Sequence, residues 1–238
     1  MPRPPRQTAR DFDPRVMQLF DQYVHGLIDR RGFLQGASAL AFSASAAVGL
    51  LASLSPRFAE ARQVATDDPR IDARHVEFDS PKGYGKGRGY LVRPSGAEGP
   101  LPTVIVIHEN RGLNPHIEDV TRRLALEGYL AFAPDALTPL GGYPGDEDKA
   151  RALFAQLDQS KTRQDFLASA AALKERPDSR GRVGVVGFCY GGGIAHMLAT
   201  EVPDLAAAVP YYGNHPPAEA AAKVKAPLLI HFAAVDER

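Results

Sequence analysis

The chain's single cysteine stands in Gly187-Phe188-Cys189-Tyr190-Gly191, a G-x-C-x-G pentapeptide. It lies between an apolar, strand-like run at 182–188 and a helix-like stretch at 190–200. This is the cysteine form of the nucleophile elbow, in which a sharp strand-to-helix turn thrusts the nucleophile out at the end of a sheet. On so tight a turn, the residues two before and two after the nucleophile crowd it and each other, which calls for Gly187 and Gly191. The helix that follows directs its positive end at the sulfur and favours thiolate. The backbone N–H of Tyr190 falls where an oxyanion would develop. A lone cysteine is otherwise a small core hydrophobe. Its placement between strand and helix selects the nucleophile reading. A redox role is the weaker reading, because there is no second cysteine to resolve a disulfide.

The elements that would position such a residue are legible along the body of the chain. Alternation at 74–78, a glycine-rich turn at 83–87 and a short apolar run at 89–92 predict an edge hairpin or meander. Thr103-Val104-Ile105-Val106-Ile107-His108 is a continuous β-branched run, the mark of a strand buried on both faces. A helix is expected over 116–127, stopped by Gly128, then a second buried strand at 129–133 and a loop at 137–145. Helices at 147–157 and 163–175, the strand at 182–188, the helix at 190–200 and strands at 206–211 and 227–232 complete the order. Strands alternating with helices imply an α/β fold, a mostly parallel sheet with helices on both faces. In such sheets ligands sit at the carboxyl ends of strands, here 108–114, 134–145, 188–191, 212–217 and 233–238.

Several of these strand ends resemble the dienelactone hydrolase (carboxymethylenebutenolidase) family of α/β-hydrolases. The similar segments are Val106-Ile107-His108-Glu109-Asn110-Arg111-Gly112-Leu113, Ala133-Pro134-Asp135, Val185-Val186-Gly187-Phe188-Cys189-Tyr190-Gly191-Gly192, Tyr211-Tyr212-Gly213 and Pro227-Leu228-Leu229-Ile230-His231-Phe232. The resemblance implies a Cys-Asp-His triad with an additional Glu that touches the resting thiol. Carried onto this chain, Cys189 is the nucleophile and Glu109 accepts the thiol proton. The N–H groups of Tyr190 and Asn110 form the oxyanion hole, and Asp236 is the triad acid. Arg111 is a candidate contact for a substrate carboxylate, and His108 a packed strand-end residue. The triad histidine is expected after the acid. The seven histidines, His25, His75, His108, His116, His196, His215 and His231, all precede Asp236. The expectation is therefore a chain truncated before its last strand and histidine loop, with His215 the one substitute worth considering.

The implied activity is hydrolysis of small esters or lactones through a thioester, with no cofactor and no metal. Two alternatives use the same scaffold: a non-catalytic binding protein and a thiol acyltransferase. The 238 residues carry 28 Lys+Arg and 28 Asp+Glu, a formal net charge of zero, which argues against nucleic acid as a partner. One cysteine excludes an internal disulfide and a cysteine-rich zinc site.

The first 61 residues differ from the rest, with net charge +2 against −2 for 62–238. Residues 32–55 are uncharged, and eleven of the eighteen residues from 37 to 54 are Ala or Ser. Arg30 and Arg31 stand upstream and Ala59-Glu60-Ala61 downstream. This basic, apolar, small-x-small order is that of a signal peptide. The arginine pair before x-Phe-Leu resembles the twin-arginine type, although Asp29 and Gln35 depart from that pattern. Residues 1–61 are thus expected to be an export leader, 62–238 an α/β-hydrolase domain, and the protein periplasmic or secreted. A retained membrane anchor is the rival reading. Val16, Leu19, Phe20, Val24 and Leu27 further predict a short amphipathic helix ahead of the pair.

Overall fold

The computed structural model describes residues 8–41, 43–55 and 62–234. It divides into two compact units, Met1–Arg57 and Phe58–Arg238.

In the second unit, β1 (Ile71–Ser80) and β2 (Gly85–Pro94) form an antiparallel hairpin, and β2 pairs antiparallel with β4 (Leu130–Asp135). From there the sheet is parallel through β3 (Leu101–Ile107), β5 (Ser179–Phe188) and β6 (Ala207–Tyr211), in the order β1-β2-β4-β3-β5-β6. The β-branched run of β3 therefore sits inside the sheet. Ile105 and Ile107 face one side and Val106 the other, all fully buried. The first side is covered by α5 (Glu147–Phe154), α6 (Gln159–Lys174) and α7 (Tyr190–Glu201) through Phe154, Phe166, Leu173 and Leu198. The second is covered by α4 (Pro115–Leu126) through Ile117 and Ala125. Burying both faces is what makes a parallel sheet stable.

Helix starts follow their caps. Asn114 accepts from the Ile117 N–H at 3.1 Å, with Pro115 in the first turn. Asp158 accepts from Ser160 and Lys161, so α6 begins at Gln159, earlier than its apolar pattern suggests. The expected strand at 227–232 is only partly realised. The segment runs beside β6 through two isolated bridges, Ala208 to Leu228 and Tyr211 to His231. Leu229 is 59% and Phe232 46% exposed, so no packed layer locks the pairing into a regular strand. A short helix, α8 (Ala218–Ala221), precedes it.

The first unit is three helices: α1 (Pro14–Val24), α2 (Arg30–Ala41) and α3 (Ala44–Leu54). The amphipathic segment ahead of the arginine pair is α1, and its Val16 and Tyr23 bury with Phe33, Ala37, Ala47 and Leu51. Phe33 is fully buried, with its ring 5.8 Å from Tyr23 and 6.1 Å from Phe20. Arg30 and Arg31 open α2, and the uncharged run is divided between α2 and α3, which meet at 116°. Among the described residues no single helix is long and apolar enough to cross a membrane. Ala59-Glu60-Ala61 lies outside the described residues.

Candidate active site

Cys189 sits between the end of β5 and the start of α7 at φ 55°, ψ −114°, a left-handed backbone that a non-glycine side chain adopts only under strain. Three backbone bonds hold it there. Its N–H donates to the Tyr211 carbonyl at 3.1 Å, and its carbonyl accepts from Gly192 and Gly193 at 2.9 and 3.3 Å. The glycine spacing is steric. A Cβ on Gly187 would stand 1.9 Å from the Gly191 carbonyl oxygen, and one on Gly191 would stand 2.4 Å from that of Ile107. The thiol is half-buried at the head of α7. Tyr190 is the first residue of that helix, where backbone N–H groups point outward. Its ring packs edge-on against Phe154 at 4.8 Å, and burial pushes its phenol pKa up.

The loop after β3 brings the other candidates to the neighbouring strand end. His108 is fully buried. Its Nδ1–H donates to the Glu109 carbonyl, and its Nε2 accepts from the Ala136 N–H at 3.1 Å. Burial lowers its pKa, against the pull of the Asp135 charge. With both nitrogens engaged and the ring neutral, His108 is a structural link between two strand ends and cannot act as a general base. Glu109 is half-buried, and its Oε2 is buried with no hydrogen-bond partner. An orphan carboxylate oxygen is costly and calls for a functional explanation.

Arg111 is bound up within the protein. Its Nε meets Glu147 Oε2 at 2.9 Å, and its NH1 donates to Asn110 Oδ1 at 3.0 Å. Glu147 Oε1 accepts from the Tyr143 hydroxyl at 2.8 Å and from Asn114 Nδ2 at 3.4 Å. Burial raises the Glu147 pKa, partly offset by Tyr143 and Arg111, and burial with the adjacent Glu147 raises that of Tyr143. Asn114 and Tyr143 fall in the strand-end segments 108–114 and 134–145, which are their only signal in the sequence, and Glu147, the first residue of α5, carries none. Asp236 lies outside the described residues. His215 is exposed, its ring 5.3 Å from His196 and 5.1 Å from Phe232. No group of three or more metal-ligating side chains occurs among the described residues.

A cysteine on a strand–helix elbow, in a sheet of this order with helices on both faces, defines the α/β-hydrolase class. The chain belongs to the dienelactone hydrolase family, whose model matches residues 88–238. A second model, described as YqhI-like, matches residues 4–42. YghX of Escherichia coli K12, named as a hydrolase fragment, is 53% identical over 112 residues, 47% of this chain and 96% of that one. A protein of Escherichia coli O157:H7, provisionally named carboxymethylenebutenolidase, is 37% identical over 62% of this chain. The match spans only 59% of that relative's length. Among solved structures, a provisionally named dienelactone hydrolase from Klebsiella pneumoniae matches with TM-score 0.55 at 34% identity. It covers 67% of this chain and 72% of that one. P91, a dienelactone hydrolase-like promiscuous phosphotriesterase from metagenomic libraries, matches with TM-score 0.57 at 28% identity, covering 69% and 70%.

Proposed function

We propose that the protein cleaves small esters or lactones through a thioester on Cys189. The observation that carries this reading is the strained elbow itself, which nothing in the packing of a core cysteine would require. In the proposed step Glu109 takes the thiol proton as the sulfur attacks the carbonyl carbon. The N–H groups of Tyr190 and Asn110 hold the resulting oxyanion, and collapse expels the alcohol. Asp236 is the proposed triad acid. Release needs a general base to activate water, a contribution of about 10²–10⁴-fold. His108, with both ring nitrogens engaged, is not placed to supply it.

Alkylation tests the site. Iodoacetamide should modify Cys189 in the folded protein, and Glu109→Gln should change the rate and its pH dependence. Labelling that requires denaturant would mean the cysteine is a core residue.

For residues 1–61 we propose a twin-arginine export leader and a periplasmic destination, supported by the Arg30-Arg31 pair and the uncharged run after it. Residues 1–65 fused to a folded reporter should deliver it to the periplasm, and changing both arginines to lysine should stop it. Continued export of the double variant would reject the twin-arginine route.

A further inference from the structure

Glu147 belongs to neither the elbow nor the loop that follows β3, yet it grips that loop at two points. One oxygen holds Arg111 and the other lies within reach of Asn114, with Tyr143 completing the set. Arg111 in turn holds the side chain of Asn110. We propose that Glu147 is a positioning residue for the acyl-transfer step. Acting through Arg111, it holds Asn110, and so the second oxyanion donor, in place. This rests on the thioester reading above.

Several observations favour a clamp over a substrate-binding role for this arginine. The loop from 108 to 114 is already tied to the next strand end by His108 to Ala136 and by Leu113 to Asp135, but both ties lie off its middle. The Glu147 carboxylate reaches that middle, tying Arg111, and through it the Asn110 side chain, to α5. The Arg111 side chain is 16% exposed and that of Glu147 27%, so water competes weakly for the pair. A bidentate-capable guanidinium between a carboxylate and an amide oxygen is fixed in direction as well as in charge. An oxyanion donor needs that kind of orientation, because its value falls steeply when the N–H is misaimed. The charged and titratable groups acting on Glu147 are Tyr143, Arg111 and Glu109, and Asp146 acts on Tyr143. Glu109 repels it, while Arg111 and Tyr143 favour its ionised form.

The test is rapid mixing of the full chain with 4-nitrophenyl acetate and, separately, with 4-nitrophenyl hydrogen succinate, following the first equivalent of nitrophenol. Glu147→Gln keeps the shape and removes the charge. The limiting acylation rate should fall about ten-fold for both esters, with half-saturation within about two-fold. The wild-type rate should decline in acid as Glu109 and Glu147 are protonated, and the variant should lack the Glu147 contribution, so that its acid limb differs from that of wild type. Tyr143→Phe, a milder change that tests the clamp even if Glu147→Gln folds poorly, should shift the limiting rate in the same direction by less. An unchanged limiting rate, or an acid limb identical in wild type and Glu147→Gln, overturns the proposal. Faster acylation by the succinate ester alone overturns it too, since it would show Arg111 to be a carboxylate receptor masked by Glu147. Wild-type protein that forms no adduct at Cys189 with either ester overturns the thioester reading, and the clamp with it.

Discussion

Cys189→Ala protein is expected to lose acylation by activated esters altogether, a fall of about three orders of magnitude or more against wild type. Among the described residues of the elbow no other side chain is a nucleophile that could replace the sulfur. The chain has one cysteine, Arg111 is paired with Glu147, and the Tyr190 hydroxyl is buried among aromatic rings with its pKa raised. The fold should survive, because the elbow is held by backbone bonds from residue 189 to Tyr211, Gly192 and Gly193, which alanine keeps. A glycine at the same place separates chemistry from stability. At φ 55° a non-glycine residue stores strain of about 1–3 kcal/mol. Cys189→Gly should therefore be as inactive as Cys189→Ala, but more stable than it by about 1 kcal/mol in denaturant titration. Equal stabilities would mean that the elbow is not strained as its dihedrals indicate.

Gly187→Ala is expected to be among the most damaging single-methyl changes in the hydrolase unit. The added carbon would lie 1.9 Å from the Gly191 carbonyl oxygen and 2.4 Å from its carbonyl carbon. Neither is a flexible side-chain tip, so β5 and α7 must part. Overpacking against backbone of this kind costs about 3 kcal/mol, the upper end of the usual range. For a unit of this size that lowers the melting temperature by about 10 °C. Gly184→Ala, three residues earlier in the same strand, is the control. Its nearest contacts, the Ala207 and Thr103 carbonyl oxygens, lie at 3.6 and 3.8 Å, an ordinary van der Waals separation. It should change stability by less than about 1 kcal/mol. Similar losses for the two would remove the steric argument for the motif's spacing.

What could be read from residues alone was whatever is local in the chain. The elbow was legible because its strand, its crowded glycines and its helix are contiguous from 182 to 200. β3 was legible because burial on both faces forces a β-branched run. The hairpin was underestimated: β1 and β2 extend to Ile71–Ser80 and Gly85–Pro94. Gly87 looked like part of a turn, but it is a strand position whose missing side chain makes room for the Phe78 ring. The role of Glu147 was not legible. It depends on a residue of α5 meeting one in the loop after β3, 36 positions earlier, and neither segment carries a pattern that announces the other. The partial strand at 227–232 has the composition of a buried strand, but its side chains are exposed among the described residues. Pattern records a preference for burial, and packing decides whether it is met. In the first unit the uncharged run read as one segment, whereas Ser43 caps a new helix by accepting from the Ala46 N–H at 3.1 Å.

Wild-type protein mixed with excess 4-nitrophenyl acetate, quenched in acid at short times and digested, should carry one acetyl group, located by mass spectrometry on the peptide containing Cys189. Hydroxylamine at neutral pH should remove it, as expected of a thioester. An unmodified Cys189 peptide, with acetyl groups scattered over lysines or absent, would contradict the nucleophile assignment and leave the elbow without the chemistry proposed for it.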